Sequence, residues 1–152
     1  MLDDLPQDEA ESLIAQIKSG DPGDGWSAVP EMPWVLNCAF GVLDQHGRAI
    51  QGVVVDFLIK TSVKPMAVHY VFTIFKTEFR TKRRAYQLDI LQNERTKRST
   101  HSLPHEHVGT NWVSIDEGAL VFSYLQTLNY FCARINLSLD CELKDPSALD
   151  LR

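Results

Sequence analysis

Residues 66–80, MAVHYVFTIFKTEFR, alternate along the chain. Val68, Tyr70, Phe72 and Ile74 fall on one side, and His69, Val71, Thr73 and Phe75 on the other. A two-residue period of this length predicts a β-strand, because helical spacing would scatter the same residues around a cylinder. Two apolar runs precede it, 34–43 (WVLNCAFGVL) and 48–61, separated by the turn-forming residues Asp44, Gln45, His46 and Gly47. Val63-Lys64-Pro65 breaks the chain before residue 66. Thr81-Lys82-Arg83 reads as a tight polar turn, and 84–91 (RAYQLDIL) as a fourth strand. Four strands with such short connections predict an antiparallel meander, since parallel neighbours need long crossovers.

The flanks read differently. Residues 8–18 space Ala10, Leu13, Ile14 and Ile17 as one face of a short helix, with acids at its start and Lys18 at its end. Residues 19–33 hold three Gly and three Pro and read as a loop. Residues 93–111 read as a long polar loop, a kind of segment that usually carries function. Residues 116–134 predict the strongest helix, started by Ser114 or Asp116. Leu120, Tyr124, Leu128 and Phe131 line one side, joined by Val121, Phe122 and Leu125. Residues 136–143 either add a last strand or trail away. The expected fold is α+β: a four- to five-stranded antiparallel β-sheet, a long C-terminal helix packed on one face, and a short N-terminal helix. Residues 1–33 form an acidic N-terminal helix and Gly/Pro-rich loop, and 34–152 a single domain.

With 152 residues and 44% apolar content, the chain can bury a real core. No run approaches the ~20 apolar residues of a membrane span, so no membrane partner is expected. The acidic start, MLDDLPQDEAE, lacks the basic and apolar regions of a signal peptide, which points to the cytoplasm. Cys38, Cys132 and Cys141 are too few and too scattered for a disulfide framework or a Cys-x-x-Cys site, and are expected to be free thiols. Phosphate-loop, dinucleotide-binding, serine-hydrolase and zincin motifs are all missing, which counts against those enzyme classes.

Net charge is −5, yet residues 76–98 alone carry +5 and hold eight of the fifteen Lys and Arg. A basic patch on an acidic chain suits a local anionic partner, or else a solvated hairpin with charged edges. For an RNA partner, Arg80, Lys82, Arg83, Arg84, Arg95, Lys97 and Arg98 are the residues expected to hold the backbone.

The densest chemical signal is residues 101–109, HSLPHEHVG, with three of the five histidines in seven residues. In an extended segment His105 and His107 share a side and Glu106 takes the other. Three readings stand. His101, His105 and His107 could exchange protons with a phosphodiester, with arginines balancing the charge and no cofactor or metal. A His-x-His pair with an acid could hold a metal. Packing or chance could also cluster histidines in a polar loop.

A strand carrying Tyr86-x-x-Asp89, a polar loop, residues 103–109 (LPHEHVG) and then a hydrophobic helix resembles the TumE-type toxins of bacterial toxin–antitoxin modules. The likeness covers roughly residues 66–134. It implies an antiparallel sheet with a C-terminal helix, a metal-independent ribonuclease-like toxin of bacterial or phage origin, and His105 and His107 in the motif positions. It implies RNA as substrate and a helix-turn-helix antitoxin as partner, with a homodimer as a further expectation. The alternative is a small non-enzymatic binding protein, such as a phage-encoded inhibitor of a host nucleoprotein defence complex, docking through the basic hairpin or the acidic N-terminal segment.

Overall fold

A computed structural model describes residues 3–63, 66–93, 104–115 and 122–148. Four long strands, β4 (Met32–Leu43), β5 (Ala49–Val63), β6 (Met66–Glu78) and β7 (Thr81–Asn93), form the expected antiparallel meander. Six short strands extend it: β1 (Asp3–Asp4), β2 (Lys18–Gly20), β3 (Ser27–Val29), β8 (His105–Val108), β9 (Asn111–Ser114) and β10 (Leu137–Leu139). The main path through the sheet is β10-β2-β4-β5-β6-β7-β8-β9, with β1 on β7 and β3 on β4. Two pairings, β1 with β7 and β10 with β2, are parallel.

This corrects the expected fold. Among the described residues the protein is mostly β, with a ten-stranded mixed sheet, and the two α-helices there are short: α1 (Gln7–Ala15) and α2 (Tyr124–Arg134). Strands of two to four residues are too short to show a period. What recruits them is the open backbone edge of the meander. His105–Val108, read from the sequence as loop, is such a strand, hydrogen-bonded to β7 on one side and β9 on the other. Helix α2 opens with a capping box: Ser123 Oγ accepts from the Gln126 N–H, and the Gln126 side chain accepts from the Ser123 N–H. Ser114, a candidate cap, lies in β9 instead, and residues 116–121 are outside the described set. Leu125 also departs from its expected side, being 59% exposed.

One face of the meander is apolar. Val53, Val55, Phe57 and Ile59 of β5, Tyr70, Phe72 and Ile74 of β6, and Tyr86, Leu88 and Ile90 of β7 are all buried there. Phe131 of α2 lands at their centre, its ring 5.3 Å from Phe57, 5.9 Å from Phe72 and 5.6 Å from Tyr86. Helix α1 adds Ala10, Leu13 and Ile14 to the same core. The acidic N-terminal segment is therefore fastened to the sheet. Gly109 permits this: its φ is +55°, and a side chain there would run into Gln7 and Ala10 of α1.

The C-terminal carbonyls of α1 are held by an unusual donor. Lys18 is buried, and its Nζ donates to Leu13 O (2.6 Å), Ile14 O (3.3 Å) and Gln16 O. Burial pushes this ammonium down to about 8. Lys18→Met should leave these carbonyls without a donor and cost about 2 kcal/mol, the scale for an unmet buried polar group. Thermal unfolding would read this as a Tm lowered by about 4 to 8 °C; an unchanged Tm would show that water replaces the ammonium freely.

Candidate active site

The alternation that buries Tyr70 and Tyr86 turns their neighbours to the opposite face of the sheet. Register then decides which polar side chains meet. Asp89 of β7 stands opposite His105 of β8, and Gln87 opposite His107. Val71 of β6 stands opposite Asp89, two residues beyond His69 and on the same side of the strand. The Asp89 carboxylate consequently sits between two imidazoles. Its Oδ1 is 2.7 Å from His69 Nε2, and its Oδ2 is 3.7 Å from His105 Nε2.

His105 is only 5% exposed. Its ring lies 5.0 Å from that of His107, edge to face, and 5.2 Å from that of Trp112 on β9, which is itself 43% exposed. These contacts fix the ring plane. His107 faces a different field. Burial pushes it down to about 4, and the nearby positive charge of Arg84 adds to the effect. It is therefore a neutral base at pH 7. Arg84 is held by polar contacts of its own: its Nη1 donates to Gln87 Oε1 (2.7 Å), and Gln87 Nε2 donates to Thr73 Oγ1 (2.9 Å). The Arg84 Nε is paired with Asp4 of β1 at 2.8 Å.

The third residue of the motif faces the core. Glu106 Oε1 accepts from Tyr86 Oη (2.6 Å) and from Arg134 Nε (2.8 Å), and the Arg134 guanidinium lies over the Tyr86 ring. Burial pushes the Glu106 carboxyl up, but these hydrogen bonds outweigh it and hold it below the usual range. Glu106 thus anchors β8 from behind while His105 and His107 lie on the opposite face of the sheet.

Of the residues expected from sequence, His105, His107 and Arg84 come together on this face, and Lys82 continues the same side of β7 towards the hairpin tip. Arg83 falls on the other side by alternation. Arg80 is in the turn itself, which closes at Phe79-Arg80 rather than at residues 81–83, because Glu78 pairs with Thr81. His101, Arg95, Lys97 and Arg98 lie outside the described residues. The sequence assigns His69 no role, and places Asp89 only in the Tyr86-x-x-Asp89 strand that leads into the histidine segment. Their positions had a signal in the period: each is one residue out of step with the buried aromatic and aliphatic positions of its strand. His46 sits in the exposed Asp44–Gly47 turn, away from this group.

Among the described residues, no group of three or more His, Cys, Asp or Glu side chains is placed to hold a metal ion. The thiols make poor nucleophiles: burial pushes Cys38 up to about 11 and Cys132 to about 12. No helix among these residues is long and apolar enough to cross a membrane. No protein-family model, curated protein or solved structure matches the chain.

His107 also sets a pH dependence of stability. Its folded pKa, about 4, lies below the ordinary 6.5, so between these values the unfolded chain binds more protons. Stability should fall as pH drops through that window and be flat above it as far as this group is concerned. His107→Gln should remove part of the slope in urea unfolding between pH 7 and pH 4.5. An identical slope in the variant would mean that His107 is solvated in solution.

Proposed function

We propose that the chain is a ribonuclease-like protein of the toxin kind, cleaving RNA by acid–base catalysis on the histidine face. The observation that carries this reading is one carboxylate, Asp89, between two imidazoles, with a third imidazole kept neutral within the field of an arginine. Such division of labour is what a phosphodiester transfer requires. Neutral His107 takes the proton from a ribose 2′-OH as the 2′-oxygen bonds to phosphorus. His105, positioned by Asp89, gives a proton to the departing 5′-oxygen as the P–O5′ bond breaks. Arg84 balances the charge on the phosphoryl oxygens once phosphate displaces Asp4 from it. The products are a 2′,3′-cyclic phosphate and a 5′-hydroxyl.

The test is cleavage of a labelled RNA by the purified chain, with the new ends identified. Cyclic phosphate ends and full activity in EDTA support the mechanism. Activity lost in EDTA and restored by a divalent ion would transfer the histidines to a metal site. A second reading, a non-enzymatic binding protein, rests on β9. This edge strand is exposed throughout, with Trp112 and Val113 presented to solvent, as a surface for strand addition would be. RNA left intact by a chain that captures a protein partner through β9 would favour it.

A further inference from the structure

The β6–β7 hairpin closes with a two-residue loop, since Glu78 pairs with Thr81. Both loop residues have positive φ, Phe79 at 50° and Arg80 at 67°. A type I′ turn demands this, and Asn-Gly is the pair that adopts it at least cost. Phenylalanine and arginine are strained there. The strain is not repaid by packing, because Phe79 is 99% exposed. A single exposed apolar residue is ordinary. A strained, fully exposed aromatic at the apex of a basic hairpin is a different matter. Lys76 is paired with Glu78 and Arg84 with Asp4. Arg80, Lys82 and Arg83 form no ion pair with a described carboxylate.

We propose that Phe79 is a stacking platform for an unpaired RNA base, with Arg80 and Lys82 holding the adjacent phosphates, and that the strand then runs along one side of β7 to the imidazoles. Alternation supplies that path. Lys82, Arg84 and Gln87 lie on the same side of the sheet as His107 and Asp89; the bulge opposite Ile74 and Phe75 absorbs Ala85 and keeps them in line. Lys82 Nζ rests over the Phe75 ring at 5.6 Å on that side. The seven steps from Arg80 to Gln87 span about 23 Å at strand spacing, room for several nucleotides. A single strand fits better than a duplex, because an exposed aromatic face meets only a base that is unstacked. The inference deepens the ribonuclease reading and rests on it for the nature of the ligand.

Binding and cleavage are measured separately. A fluorescent 2′-O-methyl RNA single strand, which lacks the attacking hydroxyl, serves as the binding probe by anisotropy. Phe79→Ala should weaken its Kd by about 5- to 100-fold, the scale of one lost base stack. Its salt dependence should not change, since no phosphate contact is removed. Phe79→Trp should bind as the parent does, with fluorescence quenched by the stacked base. Lys82→Glu should lower the slope of log K on log salt by about 0.7. The double change Phe79→Asn with Arg80→Gly should raise Tm by about 2 to 6 °C through relieved turn strain, while losing binding. Wild-type affinity in Phe79→Ala, equal affinity for a duplex, or no binding of the probe to the parent chain would each overturn the inference. Cleavage of unmodified RNA at the parent rate and KM by Phe79→Ala would overturn it and leave the ribonuclease reading intact. Phe79-dependent binding without cleavage would do the reverse.

Discussion

Replacing His107 with alanine is expected to lower the rate of RNA cleavage by about two to four powers of ten, the usual effect of losing a general base. Burial and a neighbouring guanidinium keep this imidazole neutral, with its pKa near 4. It can therefore accept a proton across the whole neutral range. The acid limb of the parent's pH–rate profile should fall near pH 4, and this limb should vanish in His107→Ala. KM should change little, because in the proposed mechanism the ring acts on the ribose hydroxyl and not on the phosphate charge. Unfolding measured beside the kinetics separates chemistry from folding. A parent-like rate in a folded His107→Ala chain would remove this residue from the mechanism.

Glu106→Ala is expected to destabilise the fold by about 3 kcal/mol, from two charge-assisted hydrogen bonds lost and a buried hydroxyl left unmet. Tyr86 is completely buried and has Glu106 Oε1 as its acceptor; Arg134 reaches the same oxygen from α2 and is partly exposed. After the change Arg134 can turn to water, whereas Tyr86 cannot. Arg134→Ala in turn leaves the buried Glu106 carboxylate without its cation, with Tyr86 as a remaining donor, and should destabilise as well. Glu106→Gln keeps an acceptor for Tyr86 and should recover about half of the loss. Urea unfolding of the two single variants and the double Glu106→Ala/Arg134→Ala would measure the coupling, expected at about 1 kcal/mol or more for groups in direct contact. Strict additivity would mean that the ion pair contributes nothing in solution. Because Glu106 sits between His105 and His107, any slippage of β8 would also carry both imidazoles off the face.

The meander was legible because long strands bury one side and expose the other, and residues 66–80 write that pattern plainly. The same pattern held the positions of His69 and Asp89, as polar residues out of phase with Tyr70 and Leu88. Three things were hidden. The short strands at Asp3–Asp4, Lys18–Gly20 and His105–Val108 have no period, because two to four residues do not complete one. The start of α2 was misplaced because Asp116 is a good cap in isolation, although Ser-x-x-Gln at residues 123–126 is the pattern of a capping box. The hairpin turn was drawn to the polar residues 81–83, since a phenylalanine at positive φ is not what local preference selects.

By itself, then, the sequence determined the antiparallel run β4 to β7, the two sides of β6, and the shared side of His105 and His107. All three follow from a period of two residues, a property of the extended backbone that needs no partner. Only the tertiary structure decided that Asp89 stands between His69 and His105, that Arg84 answers to both Asp4 and Gln87, and that Glu106 is tied to Tyr86 and Arg134. Those meetings depend on cross-strand register and on where α1, α2 and β1 dock. These are set by many weak contacts between residues far apart in the chain, and no local pattern records them.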